Sequence, residues 1–390
     1  MKSIHVSLIA LFLVTSGCGG SDATQAPEDP STTTISAESL SKDGDGHEKK
    51  TTKIVQVVER TDIVSNLPGA EAQDPDLQNA WGLAFNPAGV AWVSANETGL
   101  SGVYDSAGHN VIPSVTIPPP LGGTPPSHPT GQVFNGDPSA FMGDRFIFVT
   151  EDGTISGWQG GASAVLRVDN SASTAVYKGV TIAMHRGRPR LYAANFHAGT
   201  VEVYDDTYAP VNTHHKFRDD AIPCDFAPFN VQEIEGLLFV TYAKQDADKH
   251  DDVKGPGNGF VDVFDPGGRL VSRLIAHDGL NSPWGLARAP KGFGHLAHHL
   301  LVGNFGDGVI NVYDLELSRW DAHAEHDGVL GLDKRNPLVI DGLWALRFGV
   351  DAGGFSSTDL YFTAGPNDEA DGVFGELEAV GNKMKRMKKW

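Results

Sequence analysis

The sequence predicts an all-β fold built from repeated antiparallel units. One pattern of three short strands recurs six times between Trp81 and Leu377. The 46 glycines among 390 residues exceed the usual share of roughly 7%, which is typical of short strands joined by tight turns. Recurrence of one pattern along the chain indicates a repeat architecture rather than several independent domains.

Each repeat opens with a small-residue strand, continues with a more apolar strand and ends with an alternating one. The predicted first strands are Trp81–Phe85, Thr130–Phe134, Lys178–Ile182, Phe229–Gln232, Trp284–Ala287 and Leu343–Phe348. The predicted second strands are Ala91–Ser94, Arg145–Thr150, Leu191–Ala193, Leu237–Thr241, Leu300–Val302 and Leu360–Thr363. Third strands are clear at Thr200–Asp205, Gly259–Asp265 and Val309–Asp314, and a fourth at Arg269–Ile275. Four antiparallel strands repeated about every 50 to 60 residues predict a six-bladed β-propeller.

Two further patterns indicate how the predicted blades join. Four first strands carry a glycine at the same position: Gly82, Gly131, Gly179 and Gly285. Only small residues permit close approach of neighbouring backbones, so we expect these strands to crowd together. The β-rich run from Ile54 to Ser65 is expected to be the outer strand of the sixth blade and to close the ring. The predicted propeller therefore spans residues 54–380.

The first 17 residues have the pattern of an export signal. Lys2 precedes an apolar run, Val6 to Val14, that is too short to span a membrane. Small residues then lead into Cys18, as in the bacterial lipoprotein signal, so we expect cleavage before Cys18 and its lipidation. Gly19 favours the outer membrane of a bacterial cell envelope. The alternative is an ordinary signal peptide with an incidental cysteine.

The remaining terminal segments are polar. Residues 18–53 show no strand or helix periodicity and are predicted to be a flexible tether. Residues 381–390 form a short basic tail. With Cys18 lipidated, Cys224 is expected to be a buried or partly buried thiol.

Charge and cysteine content exclude several classes of protein. The chain has 49 acidic and 30 basic side chains, a formal net charge of −19, and this argues against nucleic acid, which needs a basic surface. Cations or basic partners are expected instead. Two cysteines are too few for a disulfide scaffold or a cysteine-built zinc site.

Several strings of the chain carry a resemblance to a known family. They include TEDGTISGW, LYAANFHAGTVEVYD, TYAKQDADKHDDVKGPGNGFVDVFD and LYFTAGPNDEADGVFGEL. Between about Ile63 and Leu377 the chain resembles a conserved hypothetical family of exported bacterial proteins, some of which carry a C-terminal PEP-CTERM tail that this chain lacks. The resemblance implies a propeller-like fold and an envelope location, and it supplies no reaction.

Polar residues follow the second strand in several repeats and form a candidate metal site. Its members are Asn96, Glu151, Asn195 and Asn304. In a propeller these turns share one face, and a ring of amide and carboxylate oxygens suits a hard cation, most simply calcium. The alternative is ordinary turn chemistry, since Asn and Asp are common residues of tight hairpins. Glu151 is the member that turn chemistry explains least well.

One loop is longer and more charged than its counterparts. It contains Asp246, Asp248, His250, Asp251 and Asp252. The spacing does not match an EF-hand, because Asp251 stands at the sixth position and Gly257 at the twelfth. The loop is interpreted as the ligand-specificity loop, either as a lid or as an irregular cation site; the alternative is a solvated charged loop.

Two function classes remain open. The chain contains no Gly-x-Ser-x-Gly elbow, Walker loop, Cys-x-x-Cys or His-Glu-x-x-His pattern, so no catalytic residue is assigned. The favoured class is a non-catalytic, membrane-anchored envelope propeller that binds an unknown ligand or protein partner. The alternative is a calcium-dependent hydrolase similar to gluconolactonases and paraoxonases. Those enzymes usually have a glutamate near a Pro-x-Trp element, where this chain has Asn79-Ala-Trp81.

Overall fold

The computed structural model describes residues 52–381 and, in a separate compact unit, the short strands β1 (Ser41–Lys42) and β2 (Glu48–Lys49). β1 and β2 pair antiparallel, within a segment for which the sequence predicts no strand. Residues 1–40, 43–47, 50–51 and 382–390 lie outside the described residues, so the signal, lipidation, tether and basic-tail predictions stay predictions. None of the described helices has the length and apolarity needed to cross a membrane.

Residues 52–381 form strands joined by turns, with two single-turn 3-10 helices at Phe141–Gly143 and Ser171–Ser173. The chain begins with β3 (Ile54–Ser65) and β4 (Ala72–Gln73). Sheet 1 contains β5 (Ala80–Phe85), β6 (Ala91–Ala95), β7 (Leu100–Tyr104) and β8 (Val115–Thr116). Sheet 2 contains β9 (Pro129–Phe134), β10 (Phe146–Thr150), β11 (Thr154–Trp158) and β12 (Val165–Asp169).

Sheets 3 and 4 repeat this arrangement. Sheet 3 contains β13 (Tyr177–His185), β14 (Arg188–Asn195), β15 (Thr200–Tyr204) and β16 (Pro210–Val211). Sheet 4 contains β17 (Phe226–Ile234), β18 (Leu237–Lys244), β19 (Phe260–Phe264) and β20 (Leu270–Ala276). Neighbouring strands are antiparallel in all four sheets, so the predicted all-β fold of four-stranded antiparallel units is confirmed at this level.

The rest of the chain forms one nine-stranded sheet. Its C-terminal strands are β21 (Pro283–Arg288), β22 (Leu300–Asn304), β23 (Ile310–Leu317), β24 (Ala322–Gly331), β25 (Leu343–Phe348), β26 (Leu360–Ala364) and β27 (Val373–Ala379). The strand order is β21-β22-β23-β24-β3-β27-β26-β25, with β4 beside β3. β3 pairs antiparallel with β27 and parallel with β24. The N-terminal strand therefore supplies the fourth strand beside β25–β27, and it also joins them to β21–β24.

The first strands of consecutive sheets lie against one another. β5 contacts β9, β9 contacts β13, and the contacts continue through β17, β21 and β25 back to β5. The glycines are needed for this approach: a Cβ on Gly131 would lie 2.8 Å from the Val180 nitrogen, and one on Gly285 would lie 2.6 Å from the Trp344 oxygen. The expected crowding of the first strands is therefore present.

Each first strand contains a β-bulge, a place where one extra residue is left out of the pairing. The bulges fall at or beside Trp81, Thr130, Lys178, Phe229, Trp284 and Trp344. A bulge re-aims the side chain of the extra residue, and four of these six residues are aromatic. The sheets therefore present one set of large side chains at the same level of their first strands.

Aromatic side chains fill the space between the first strands. The inner aromatic cluster consists of Trp81, Phe196, Phe229, Trp284, Phe305 and Trp344, all buried within one hydrophobic core. The Trp344 ring stacks on Trp81 with centroids 3.6 Å apart and on Phe305 with centroids 3.8 Å apart. Stacked and edge-to-face rings add to the hydrophobic stabilisation of burial. Cys224, expected to be buried or partly buried, is exposed, because it lies in the loop before β17 rather than in a strand.

Candidate functional site

The turn after each second strand has a defined structural position. Its first residue donates a backbone N–H to the carbonyl two residues before the bulged residue of the same sheet. Five of the six repeats share this bond: Asn96 to Asn79, Glu151 to His128, Phe196 to Val176, Phe305 to Ser282 and Gly365 to Gly342, at 2.8–3.1 Å. The equivalent residues are therefore Asn96, Glu151, Phe196, Phe305 and Gly365.

The predicted column of Asn96, Glu151, Asn195 and Asn304 mixes two positions. Asn195 and Asn304 are the last residues of β14 and β22, one residue before Phe196 and Phe305. A shift of one residue along a strand turns the side chain to the opposite face. The aromatic rings therefore enter the inner cluster, and the two asparagine amides do not take the position of Asn96 and Glu151.

The amides of Asn195 and Asn304 bond to groups of their own surroundings. Asn195 donates to Glu202 at 2.8 Å and accepts from the Ala198 N–H at 3.1 Å. Asn304 donates to the Gly279 carbonyl at 2.8 Å and to Asp307 at 3.1 Å. Of the four predicted ligands, the hydrogen bonds join only Asn96 and Glu151, through Asn96 Nδ2 and Glu151 Oε2 at 2.9 Å. Calcium itself stays a prediction.

A buried lysine lies against Glu151. Lys178 occupies the bulge of β13, a position where four of the other first strands have aromatic rings, and its side chain is 2% exposed. Its ammonium group bonds to Glu151 Oε1 and, at 3.1 Å, to Asp251 Oδ1. It also lies 5.2 Å from the centroid of the Trp81 ring, within cation–π range. One cation is thus held by a carboxylate from each of two segments and by an aromatic face.

The predicted specificity loop supplies the second carboxylate. It connects β18 to β19 and is closed by a backbone bond from Asp246 N–H to the Asp251 carbonyl at 2.8 Å. His250 Nδ1 lies 2.9 Å from Asp251 Oδ1. Asp248 is exposed, whereas Asp252 is partly buried. The structure therefore joins two features that the sequence analysis treats separately, the loop and Glu151.

The hydrogen-bond network extends from Asn96, which donates to Glu151, to Asn79 and Glu369. Asn79 Nδ2 lies 3.5 Å from Asn96 Oδ1 and donates to Glu369 Oε2 at 2.7 Å. Asn79 Oδ1 accepts the indole N–H of Trp344 at 2.9 Å. We call this group the lysine site: Lys178, Glu151, Asp251, His250, Asp252, Asn96, Asn79 and Glu369.

The charges of the lysine site change the proton affinity of its members. Burial disfavours the Lys178 cation, but the charges of Glu151 and Asp251 outweigh burial and raise its pKa. The hydrogen bond with His250 holds the pKa of Asp251 below its usual value despite burial, and the same bond raises the pKa of His250. Burial raises the pKa of Glu369 to about 7, with a further contribution from the negative charge of Glu151.

Three potential ligand groups of this site are close enough to hold a metal ion. Oxygen or nitrogen atoms of Glu151, His250 and Asp251 lie within 4.8 Å of one another. The Lys178 ammonium contacts both of these carboxylates, so a cation of the chain itself already occupies part of their coordination. The remaining acidic groups, Glu369 and Asp252, are partly buried and have no lysine bonded to them in residues 52–381.

The sequence analysis missed Lys178, Glu369 and the role of Asn79. A signal for Lys178 exists in the sequence: it begins the string Lys178-Gly-Val, aligned with Trp81-Gly-Leu and Trp284-Gly-Leu, and so is a lysine in an otherwise aromatic position. Glu369 and Asn79 have no comparable signal, because their contact depends on how the last and first sheets meet.

Comparisons with known proteins give relatives but no function. No family model matches the chain. Uncharacterized protein L690 of Acanthamoeba polyphaga mimivirus is 29% identical over 78% of this chain and 81% of its own length. Uncharacterized protein R648 of the same virus is 28% identical over 81% of this chain and 78% of its own length. These relatives are viral, so they support neither the expected bacterial origin of the family nor its PEP-CTERM tails.

Solved structures share the fold at low sequence identity. A Bacteroides thetaiotaomicron protein of unknown function has a TM-score of 0.51, with 10% identity, covering 86% of this chain and 80% of its own. A catalytically inactive variant of virginiamycin B lyase from Staphylococcus aureus, solved with quinupristin, has a TM-score of 0.50, with 9% identity, covering 82% and 99%. Together with the repeated four-stranded sheets, these likenesses place the chain among proteins of β-propeller fold.

Proposed function

We propose that the protein is a closed, six-bladed β-propeller that binds a small cation, calcium being the expected one, at the lysine site without catalysing a reaction. Six first strands contact one another in sequence and return from β25 to β5, which supports a closed ring. The pairing of β3 with β27 supports closure by the N-terminal strand. In this arrangement the lysine site lies at one end of the central axis.

The proposal rests on the excess of carboxylates over ammonium groups at the lysine site. Four carboxylates, Glu151, Asp251, Asp252 and Glu369, interact electrostatically with one buried ammonium group, Lys178. Lys254 adds a second cation, which lies 4.1 Å from the Phe305 ring. The turns that follow Asn96, Glu151, Phe305 and Gly365 add further acids: Glu97, Asp152, Asp307 and Asp368. An excess of oxygen anions is suited to a hard cation.

Lys178 also separates this proposal from the hydrolase alternative. A catalytic calcium needs open coordination positions at which to bind substrate, and the chain places its own ammonium group on Glu151 and Asp251. The cation is therefore expected nearer to Glu369 and Asp252, with the loop of Asp246, Asp248, His250, Asp251 and Asp252 determining specificity. Resemblance of fold alone does not supply a reaction.

Thermal melting with and without cations tests the proposal. Wild-type protein is compared in chelator, in millimolar calcium chloride and in magnesium chloride at matched ionic strength. Binding to the folded state raises the melting temperature by mass action once free calcium exceeds its Kd. Glu369→Gln keeps the shape and removes a carboxylate that holds no lysine, so it should abolish the calcium-dependent shift.

Two further variants make the result specific. Glu325→Gln removes a carboxylate whose side chain is 82% exposed on β24, and it should leave the calcium shift unchanged. Glu151→Gln should abolish the shift but also lower the melting temperature in chelator, because it breaks the bond to Lys178. A wild-type protein that melts at the same temperature in calcium, magnesium and chelator does not bind these cations, and the proposed function then fails.

We also propose that the propeller is exported and anchored in an outer membrane through a lipid on Cys18, with residues 18–53 as the tether. The support is the sequence pattern before Cys18. Expressed in a bacterium, the wild-type protein should appear in the membrane fraction and Cys18→Ser should be released from it. A mature N-terminus elsewhere than residue 18 would exclude lipidation at this cysteine.

A further inference from the structure

A basic pocket lies at the end of sheet 3 that is opposite the lysine site. Its volume of about 240 Å³ suits a small ligand, and it is formed by the turn between β13 and β14 and by residues after β15. His185 and Lys178 are seven residues apart on β13, so about 23 Å of strand separates the pocket from the lysine site. The charged or titratable side chains that line the pocket are His185, Arg186, Arg188, Arg190, Asp205 and Asp206.

The turn that forms this pocket does not need basic residues for its geometry. It is a two-residue β-hairpin turn at residues 185–188, whose central residues Arg186 and Gly187 both have positive φ. Sheet 4 makes the same turn at residues 234–237, again with positive φ at both central residues. The sequence there is Ile-Glu-Gly-Leu, against His-Arg-Gly-Arg in sheet 3. The basic side chains are therefore specific to sheet 3 and are not a requirement of the turn.

The positive charges of this pocket exceed the negative charges that neutralise them. Arg188 pairs with Asp206 at 4.0 Å. Among the described residues, Arg186 and Arg190 have no ion pair. The Asp205 carboxylate accepts two backbone N–H groups of its own turn, at 2.8 and 3.0 Å. The pocket therefore keeps two guanidinium groups without an ion pair, in a chain whose formal net charge is −19.

The proton affinity of His185 agrees with this excess of positive charge. Burial lowers the pKa of His185, three positive charges lower it further, and the charge of Asp265 opposes them. The three charges are those of Arg190, Arg186 and Lys216. An anion bound among these cations would raise the pKa of His185.

We propose that this pocket, the arginine pocket, binds the phosphate group of a phosphate monoester. A guanidinium group presents pairs of N–H donors that match two oxygens of one phosphate. A phosphate dianion neutralises two positive charges, as many as the pocket leaves without an ion pair, whereas a monocarboxylate neutralises one. The arginine pocket shares no residue with the lysine site, so this inference does not depend on the proposed function.

Isothermal titration with inorganic phosphate tests the inference. The full chain is titrated with sodium phosphate and with sodium acetate at pH 8 and matched ionic strength. Phosphate should bind, and acetate should bind far more weakly because it carries a single charge. The double variant Arg186→Gln with Arg188→Gln removes two charges from exposed side chains, so it should fold and should weaken phosphate binding on the order of tenfold.

A second double variant controls for net charge. Lys334→Gln with Arg335→Gln removes two positive charges from exposed positions between β24 and β25, and it should leave phosphate binding unchanged. An equal loss of binding in both double variants would mean that phosphate responds only to the net charge of the chain, and it would overturn the inference. In wild-type protein, phosphate should also raise the pKa of His185, measured by NMR of its ring protons, with His185→Asn identifying the signal.

Vesicles distinguish a free ligand from a lipid headgroup that carries the same phosphate monoester. The full chain with Cys18→Ser is sedimented with phosphatidylcholine vesicles that contain phosphatidic acid, so that the proposed lipid anchor plays no part. Retention that is lost in Arg186→Gln with Arg188→Gln assigns a lipid phosphate; phosphate binding without retention assigns a free ligand. The inference is overturned if wild-type protein does not bind phosphate, if the folded double variant binds it equally well, or if acetate binds as tightly as phosphate.

Discussion

Lys178 and Arg347 are both basic residues on first strands, but their surroundings differ. Lys178 is fully buried and bonds to Glu151 and Asp251, whereas Arg347 lines a pocket without a hydrogen-bonding partner in residues 52–381. Burial disfavours the charged form of both, but carboxylates raise the pKa of Lys178 while the pKa of Arg347 stays lowered. The fold therefore pairs one of these two cations with carboxylates and leaves the other without a hydrogen-bonding partner in the described residues.

The sheets that carry the two cations are also built differently. Lys178 lies in sheet 3, which one continuous segment from Tyr177 to Val211 forms. Arg347 lies on β25, whose sheet obtains its fourth strand, β3, from the other end of the described chain. The sheet that carries Arg347 therefore depends on a long-range pairing that sheet 3 does not need.

Among the variants that test this comparison, deletion of residues 54–65 should have the largest effect on stability. It removes β3, which pairs with β27 from Val58 to Ser65 and with β24 from Ile54 to Val57, and so exposes two strand edges. The truncated protein should aggregate or melt far below the intact chain, as measured by differential scanning calorimetry and light scattering. Deletion of residues 19–52 should be nearly silent by comparison. Equal behaviour of the two deletions would mean that β3 does not close the sheet.

The sequence predicts the strands well because their signals are local. Alternation and turn residues predict a third strand at Thr200–Asp205, and β15 spans Thr200–Tyr204. The partner of Ile54–Ser65 is also predictable, since the last repeat lacks a fourth strand. The parallel contact of β3 with β24 is not, because the sequence carries no pattern for a strand that serves two neighbours.

The site is less predictable because it depends on single-residue offsets. The sequence aligns Asn195 and Asn304 with Asn96 by residue type, but the strands place Phe196 and Phe305 at that position. The direction of the Lys178 side chain depends on a bulge, which pairing reveals and composition does not. The sequence analysis singles out Glu151 and the loop around Asp251 separately, and their contact through Lys178 is a result of the fold.

Removal of the Lys178 ammonium group should have the next largest effect. Lys178→Met keeps much of the apolar stem and leaves Glu151 and Asp251 without their cation, so the free energy of unfolding should fall by about 3 kcal/mol or more. Chemical denaturation at pH 7 measures the change. The double variant Lys178→Met with Glu151→Gln removes both charges and should recover part of the loss. A single variant as stable as wild type would show that the buried pair contributes nothing.

A smaller effect is expected on the pH dependence of the melting temperature. Burial raises the pKa of Glu369 from 4.5 to about 7, so the folded state keeps this proton to a higher pH than the unfolded chain does. Its contribution to stability is present in full below about pH 4.5 and is lost as the pH rises to about 7, amounting to about 1 to 3 kcal/mol. Melting temperatures from pH 4.5 to 8 should therefore fall less in Glu369→Gln than in wild type. Asp262, whose pKa burial also raises to about 7, contributes the same trend to both proteins.

The smallest effect on stability is expected at Arg347, and it completes the contrast with Lys178. Arg347→Met replaces a cation that has no hydrogen-bonding partner in the described chain by an apolar side chain of similar length, next to Leu83, Leu286 and Leu346. No carboxylate loses its bonded cation, and a partly buried charge is removed, so the free energy of unfolding should stay the same or rise by up to about 1 kcal/mol. Denaturation of this variant beside Lys178→Met, under the same conditions, measures the difference between a cation that the fold requires and one that it tolerates. A loss of about 2 kcal/mol or more in Arg347→Met would show that the fold itself requires this charge.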